Sequence, residues 1–123
     1  MVTHQTIGEH NTVLTPEDLA ALRENLLEQR LFRQEQLRQF AADPQPRAER
    51  LPQRDAGEIE VGIRLAASAR MVLADVEAAL DRMDTDTYGS CHLCRRPVER
   101  ERLLIVPQAR YCARCQQVRE AAR

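Results

Sequence analysis

The chain contains no tryptophan and no lysine, and its 123 residues include only two phenylalanines and two tyrosines. Aromatic side chains supply much of the apolar area in a globular core, so their scarcity argues against a thick core. No apolar run approaches the roughly 20 residues that a membrane-spanning helix needs, and we expect no membrane partner. Charged residues make up 30% of the chain, a composition that favours elongated helices with a narrow apolar seam.

Two further absences bear on location and activity. The first ten residues have no basic start and no apolar segment, so a secretory signal peptide is not recognisable, and we expect a cytoplasmic protein with reduced thiols. The sequence shows no Ser/His/Asp set, no phosphate-binding loop and no paired catalytic carboxylates, and we expect that it is not an enzyme. Residues 1–14 are polar and unpatterned, which predicts a flexible N-terminal segment.

The chain does contain four cysteines, in the pairs Cys91/Cys94 and Cys112/Cys115. Each Cys-x-x-Cys turn brings two sulfurs to one side of a bend, and two such turns can supply the four thiolates of a tetrahedral zinc site. Two disulfides and a redox Cys-x-x-Cys are the alternatives. A protein with disulfides is expected to show a signal peptide, which is not recognisable here, and a redox motif is expected where strands and helices alternate, which this sequence does not predict. We therefore predict one structural Zn²⁺. His92 could replace a cysteine as ligand, although the complete set of four makes an exposed loop residue the better interpretation.

Charge is unevenly distributed although the net formal charge is −1. Residues 92–123 hold eight arginines and three acidic residues, whereas residues 1–91 hold ten arginines and sixteen acidic residues. One Zn²⁺ on four thiolates lowers the C-terminal excess to about +3. A modest basic end of this kind is compatible with contact to phosphate or to an acidic protein surface.

A first long helix is predicted from Thr15 to about Ala42. Thr15 can cap the helix, Pro16 suits the first helical position, and the acidic residues Glu17 and Asp18 lie near the positive end of the helix dipole. The apolar spacing is regular near this start and irregular further along. The positions that form the predicted seam are Leu19, Leu22, Leu26 and Phe40.

Residues 43–58 contain Pro44, Pro46 and Pro52, which break a continuous helix and predict a turn. A second helix is then predicted from about Glu58 to Met83. Its apolar residues recur at intervals of three and four, as in a coiled-coil seam. They are Ile59, Ile63, Ala66, Ala69, Leu73, Val76, Leu80 and Met83.

Two helices of nearly equal length joined by a proline-rich turn predict an antiparallel coiled-coil hairpin over residues 15–87, with its tip at about 43–58. An ordinary bundle, or helices that pair between two chains, are the alternatives. Residues 88–123 are assigned to a small zinc-finger module with Gly89 in a left-handed turn, a short β-type stretch at 101–108 and a C-terminal helix. The predicted fold is therefore mainly α.

The residues around the cysteines resemble a known signature. Tyr88-Gly89-Ser90-Cys91-x-x-Cys94, then Arg102-Leu103, Pro107 and Cys112-x-x-Cys115 are similar to the zinc finger of the DksA/TraR family, and the preceding hairpin is similar too. The resemblance implies a protein that binds bacterial RNA polymerase, inserts its hairpin into the secondary channel and alters promoter complexes. It also implies a monomer without stable direct DNA binding.

The sequence departs from the family pattern at the tip. The family's Asp-x-x-Asp-x-Ala motif aligns without gaps to Ala48, Leu51 and Gln53, so the motif is absent at that register. Asp55 and Glu58 are the best candidates for a shifted acidic tip that reaches the polymerase active site. Ordinary helix capping before the second helix is the alternative for both residues.

A second departure concerns guanosine tetraphosphate. The positions equivalent to the family's basic contacts hold Asp75, Val106 and Gln116, none of them basic, and a tetraphosphate needs several cations. We expect weak or no dependence on this ligand. The glycine that often follows the first cysteine pair is Arg95 here, which affects the local turn rather than the metal ligands.

Arginines of the zinc module are the candidates for partner binding. The four residues singled out are Arg95, Arg96, Arg100 and Arg102. A solvated surface on which one or two arginines make structural pairs is an equally good interpretation. The sequence is also compatible with two other functions, namely a zinc-dependent nucleic-acid-binding module and a thiol-based redox sensor.

Overall fold

The computed structural model describes residues 13–42 and 56–122. It contains four helices in this range, and we number them in chain order. They are α1 (Pro16–Ala42), α2 (Ala56–Asp84), α3 (Arg100–Ile105) and α4 (Ala113–Ala121). Within the described ranges, extended pairing is limited to one isolated antiparallel bridge between Ser90 and Pro97.

The start of α1 is a reciprocal capping arrangement. The Asp18 backbone N–H donates to Thr15 Oγ1 at 3.0 Å, and the Thr15 backbone N–H donates to Asp18 Oδ2 at 3.1 Å. Two amide groups that a helix start would leave without acceptors are thereby satisfied. The predicted cap and the predicted first residue, Pro16, are both confirmed.

The two long helices run antiparallel. Arg23, in the second turn of α1, forms an ion pair of 2.8 Å with Asp84 at the end of α2. Leu26, one turn further along α1, packs in a buried cluster with Val76, Ala79 and Leu80 of α2. The beginning of one helix thus meets the end of the other, as the predicted hairpin requires.

Among the described side chains of α1, the buried ones all lie at the base of the hairpin. Leu22 and Leu26 are the buried residues of α1, whereas Leu31 is 63% exposed. On α2 the predicted seam residue Ile63 is 62% exposed. In the register set by Arg23 and Asp84, the last residue of α1 lies level with residue 65, so Ile63 lies beyond the end of its partner helix.

A second buried cluster joins the hairpin to the zinc module. It contains Leu22 of α1 together with Cys91, Val98, Leu103 and Cys112. Several half-buried residues pack around it, and two of them, Met83 and Tyr88, also contact the hairpin cluster. The two clusters therefore meet where the hairpin and the zinc module join. This contact holds the cysteines against the base of the hairpin.

The segment between the cysteine pairs corrects one prediction. A β-type stretch was predicted over residues 101–108, but Arg100–Ile105 forms the short helix α3. The run Leu103-Leu104-Ile105 is apolar throughout, which is typical of a buried strand. Only Leu103 is buried, however, while Leu104 is 43% and Ile105 80% exposed, so the segment packs through a single position.

The end of the chain follows its prediction. Cys112 is the N-cap residue of α4, which continues to Ala121 and has no buried residue. Among the described helices, none combines the length and apolar character that crossing a membrane requires.

Candidate metal centre

The four cysteines come together in one cluster. The sulfurs of Cys91, Cys94, Cys112 and Cys115 all lie within 4.8 Å of one another, and the Cys94 and Cys112 sulfurs are 3.9 Å apart. Zinc–sulfur bonds of about 2.3 Å in a tetrahedron place the sulfurs about 3.8 Å apart. The set therefore fits one structural Zn²⁺, as predicted.

His92 is not needed to complete this site. Its backbone N–H donates to the Arg110 carbonyl at 2.8 Å, and its ring makes an edge contact with Tyr111 at 6.0 Å between centroids. Four thiolates close a tetrahedral site without an open position for water or substrate, which is the arrangement of structural zinc. The centre can fasten the chain but offers no coordination site for catalysis.

The first cysteine turn is built by local backbone hydrogen bonds. The Cys91 N–H donates to the Arg96 carbonyl at 2.8 Å, and the Arg95 N–H donates to the Cys91 carbonyl at 3.0 Å. Gly89 enters the turn with φ 93°, as predicted, and Arg95 leaves it with φ 65°. Arg95 thus adopts a left-handed conformation that favours glycine, at a cost of about 1–2 kcal/mol for an L residue.

The second cysteine turn is the start of α4. The Cys115 N–H donates to the Cys112 sulfur at 3.5 Å, and the Gln116 N–H donates to the Cys112 carbonyl at 2.9 Å. Glu99 Oε1 accepts from the Ala113 N–H at 3.2 Å, which satisfies another amide of the helix start. The helix geometry therefore positions both sulfurs of this pair.

The thiols have very different acidities in this cluster. Burial raises the pKa of Cys91, but the backbone N–H groups of Cys94, Cys112 and Leu93 more than offset it and lower the pKa to about 6. Burial and hydrogen bonds to the other three thiols raise the pKa of Cys115 to about 12. Four thiolates at this separation repel one another, so a divalent cation is what allows all four to be deprotonated.

Two ion pairs fix the zinc module on the hairpin. Arg100 donates two hydrogen bonds to the Asp18 carboxylate, from Nε at 2.8 Å and from Nη2 at 2.9 Å. Arg100 and the Thr15 N–H together hold the pKa of Asp18 well below its usual range. On α2, Asp75 Oδ1 accepts from Arg110 Nη2 at 2.8 Å.

The predicted partner-binding arginines separate into two groups. Arg100 is paired with Asp18, and Arg102 Nε donates to the Tyr111 carbonyl at 2.9 Å, so both have structural contacts. Arg95 and Arg96 are exposed. Nothing in the sequence near Asp18 indicated that it would pair with Arg100, 82 positions away, and its place near the positive end of the helix dipole was the only local signal.

Of the two acidic residues predicted at the tip, the structure describes one. Asp55 lies outside the described residues, and Glu58 lies in the first turn of α2. Of the positions aligned with the family's basic contacts, Asp75 is paired with Arg110, and Gln116 Nε2 donates to Glu120 at 2.7 Å.

Tyr88 packs against both buried clusters, and its hydroxyl donates to the Pro107 carbonyl of the zinc module at 2.7 Å. We expect Tyr88→Phe to lower the free energy of unfolding by about 1 kcal/mol, because the carbonyl loses its donor. Tyr111→Phe is the matched control, since its ring contacts survive the change, and it should cost less than about 0.5 kcal/mol. Equal effects in urea unfolding would contradict the assignment.

The same hydroxyl predicts a dependence on pH. Burial raises the pKa of Tyr88 to about 12, whereas an unfolded tyrosine titrates near 10. Between about pH 10 and 12 the unfolded chain loses a proton that the folded chain keeps, so stability falls as pH rises. Tyr88→Phe should remove this part of the fall, which urea unfolding at pH 9 and pH 11 measures.

Comparisons with known proteins bear on the zinc site and on the fold, and each comparison covers a different part of the chain. Residues 86–121 match the family model described as the prokaryotic dksA/traR C4-type zinc finger. A 43-residue segment is 37% identical to an uncharacterised protein of Aquifex aeolicus (strain VF5), over 35% of this chain and 30% of that protein. The chain thus matches less than a third of the length of this relative.

The structure of transcription factor DksA2 from Pseudomonas aeruginosa is similar over 87% of this chain and 86% of that chain. The TM-score is 0.67 and the sequence identity is 24%. At this identity the likeness shows that the two chains share a fold.

Proposed function

Because this chain carries a C4-type zinc finger of the DksA/TraR family on a DksA-like fold, we propose that it regulates transcription by binding bacterial RNA polymerase. In this proposal the hairpin enters the secondary channel of the enzyme and the zinc module remains outside. The distal end of the hairpin then acts close to the catalytic region. The chain does so as a monomer, in the cytoplasm, without stable direct contact to DNA.

The shape of the molecule is the observation that carries this proposal. Helices α1 and α2 have 27 and 29 residues, which corresponds to a rod about 40 Å long. Two packed helices are about 20 Å across, so the rod fits a channel that excludes a globular domain. The zinc module is attached at the base of the hairpin, away from its tip, through the Asp18–Arg100 and Asp75–Arg110 ion pairs. These pairs support a wide, stiff base at the channel entrance.

We propose that the activity of this chain depends weakly or not at all on guanosine tetraphosphate. Asp75, one of the positions aligned with the family's basic contacts, is acidic and paired with Arg110. Val106 and Gln116 carry no charge that could offset phosphate groups.

The acidic residues at the tip, Asp55 and Glu58, are proposed to act at the polymerase active site. The double change Asp55→Asn and Glu58→Gln removes both charges but keeps side chains that can cap a helix. We expect it to abolish the effect on transcription while polymerase binding stays within about twofold, because the rest of the rod makes the binding contacts. The matched control, Glu24→Gln with Glu28→Gln, removes two exposed charges near the base of α1 and should retain activity.

A competition assay tests the proposed function directly. The purified chain is titrated against core RNA polymerase that carries a labelled secondary-channel factor, and transcription is followed in parallel. Displacement of the label is the expected result. Failure to displace it, combined with salt-sensitive binding to duplex DNA alone, would instead indicate a nucleic-acid-binding module. If the Asp55/Glu58 variant keeps the full effect of the original chain on transcription, the two acidic residues have no part in the proposed mechanism.

A further inference from the structure

The packing between the two long helices weakens beyond the base of the hairpin. We call residues 33–41 of α1 and 65–73 of α2 the distal part, and these segments lie level with each other in the antiparallel register described above. Among the described side chains of the distal part, only Ala69 is buried. An alanine removes little apolar area from water, so packing stabilises the distal part much less than the base. At the base, by contrast, four side chains are buried in one cluster, namely Leu26, Val76, Ala79 and Leu80.

The seam of α1 becomes polar where the distal part begins. The spacing of three and four that starts at the buried Leu22 and Leu26 continues to three polar residues, which are half-buried. They are Gln29, Arg33 and Gln36. Arg33 Nη1 donates to Gln36 Oε1 at 2.9 Å, so this hydrogen bond lies within α1 and does not join it to α2. Polar side chains at seam positions lower the stability of a coiled coil, because they lose water without gaining the contacts of an apolar residue.

The zinc module supports the hairpin up to the same level. The side-chain amides of Gln29 on α1 and Gln108 of the module exchange hydrogen bonds at 3.4 and 3.5 Å. On α2, Asp75 is paired with Arg110 of the module. Of the hydrogen bonds between the module and the hairpin in the described ranges, these lie furthest from the base. The distal part begins within about one helical turn of both contacts.

We infer that the distal part of the hairpin opens reversibly while the base and the zinc module stay folded, because the seam there is polar and the support of the module has ended. A helix that loses its partner in water is marginally stable, so opening also exposes the backbone amides of both distal segments. The metal-held module thereby sets the length of the rigid rod, and the end of the hairpin changes direction about Gln29 and Asp75. This behaviour belongs to the free chain and needs no RNA polymerase, so it is tested separately from the proposed function.

Hydrogen exchange of the full chain with its zinc bound tests the inference residue by residue. Exchange is followed by NMR at increasing urea concentrations below the unfolding transition. The distal amides should have protection factors at least about a hundredfold lower than the amides of residues 22–27 and 76–81. Their exchange should also depend little on urea, since local opening exposes little surface. Equal protection and equal urea dependence along both helices would show one cooperative unit and overturn the inference.

Arg33→Leu combined with Gln36→Leu makes the seam of the distal part apolar. Two leucines at these half-buried positions should raise the protection of the distal amides about tenfold, because opening would then expose both leucines to water. The variant is measured at a concentration where sedimentation shows a monomer, so that pairing between chains does not contribute. Unchanged protection would show that the polar seam does not cause the opening, and the inference would be wrong.

Arg38→Leu combined with Gln39→Leu is the matched control. The same two substitutions are made on the same helix, but both residues are exposed. Protection of the distal amides should stay within about twofold of the original chain. An equal rise in both double variants would assign the effect to added apolar character or helix propensity, and would contradict a role of the seam.

Gln108→Ala tests the part that the zinc module plays. Loss of the contact with Gln29 should let the opening extend towards the base, so the amides of residues 29–32 should lose about three- to tenfold in protection. The amides of residues 22–27 should keep their protection, and the chain should keep its zinc, since the four cysteines are untouched. If protection at residues 29–32 does not change, the module does not set the boundary of the opening and the inference fails in that respect.

Discussion

Replacement of Cys94 by serine is expected to release the zinc and to unfold the module from residue 88 onward. The Cys94 sulfur lies 3.9 Å from that of Cys112, and a serine hydroxyl does not replace a thiolate as a zinc ligand. Zinc binding to finger peptides is worth about 10–16 kcal/mol, which exceeds the stability of most small domains. The zinc content measured by metal analysis should fall from one ion per chain to none. The backbone amides of α4 should also lose their protection from hydrogen exchange.

The apolar core of the module explains why this effect should be large. Its buried cluster contains two cysteines of the metal site, Cys91 and Cys112, beside Leu22, Val98 and Leu103. A core of this size cannot compensate for the entropy of ordering the segment without the metal. The ion pairs that join the module to the hairpin depend on the module being folded, so they should be lost with it.

His92→Ala is the control, because His92 was the alternative ligand. This variant should retain one zinc per chain and a protected α4. Zinc retention with an intact α4 in Cys94→Ser would contradict the four-cysteine site, and zinc loss in His92→Ala would assign the histidine a ligand role.

Leu26→Ala should reduce the stability of the hairpin by about 2–5 kcal/mol, the range for removing a buried leucine from a packed core. The Leu26 side chain is fully buried against Val76, Ala79 and Leu80. Partly buried apolar residues pack against this cluster, and how far they close the cavity decides where in this range the loss falls. Urea unfolding followed by circular dichroism at 222 nm measures the change.

Leu31→Ala is the matched control, with the same substitution on the same helix. Leu31 is 63% exposed, so its removal should change the free energy of unfolding by no more than about 0.5 kcal/mol. Equal losses in the two variants would show that the helices do not pair in this register. The unfolding midpoint of the original chain should also be independent of protein concentration, because both helices belong to one molecule.

Features that depend on neighbouring residues could be predicted from the sequence. Thr15 caps α1 as predicted, by accepting from the backbone N–H of Asp18 three residues later. The spacing of the cysteine pairs predicted a cluster of four sulfurs, which the structure contains. Gly89 was predicted to be left-handed and has φ 93°. Each of these depends on backbone geometry over a few residues, which is the same in any fold.

Two predictions from the sequence were wrong for a different reason, namely the strand predicted where α3 lies and the burial predicted for Ile63 of α2. Leu103, Leu104 and Ile105 have the composition of a strand, but only Leu103 contacts the core. Ile63 fits the coiled-coil spacing but lies beyond the end of α1, since the two helices are offset. Periodicity reports which residues could be buried, whereas burial itself depends on where a partner element ends.

By itself, the sequence determined the metal ligands, the ends of α1 and the presence of two long helices. Only the tertiary structure decided how the module sits on the hairpin, through Asp18 with Arg100 and Asp75 with Arg110, which are 82 and 35 positions apart. The same docking decided which arginines are occupied and which are available to a partner. The physical reason is distance along the chain, because a pair of charges has no local signature until packing brings the two side chains together.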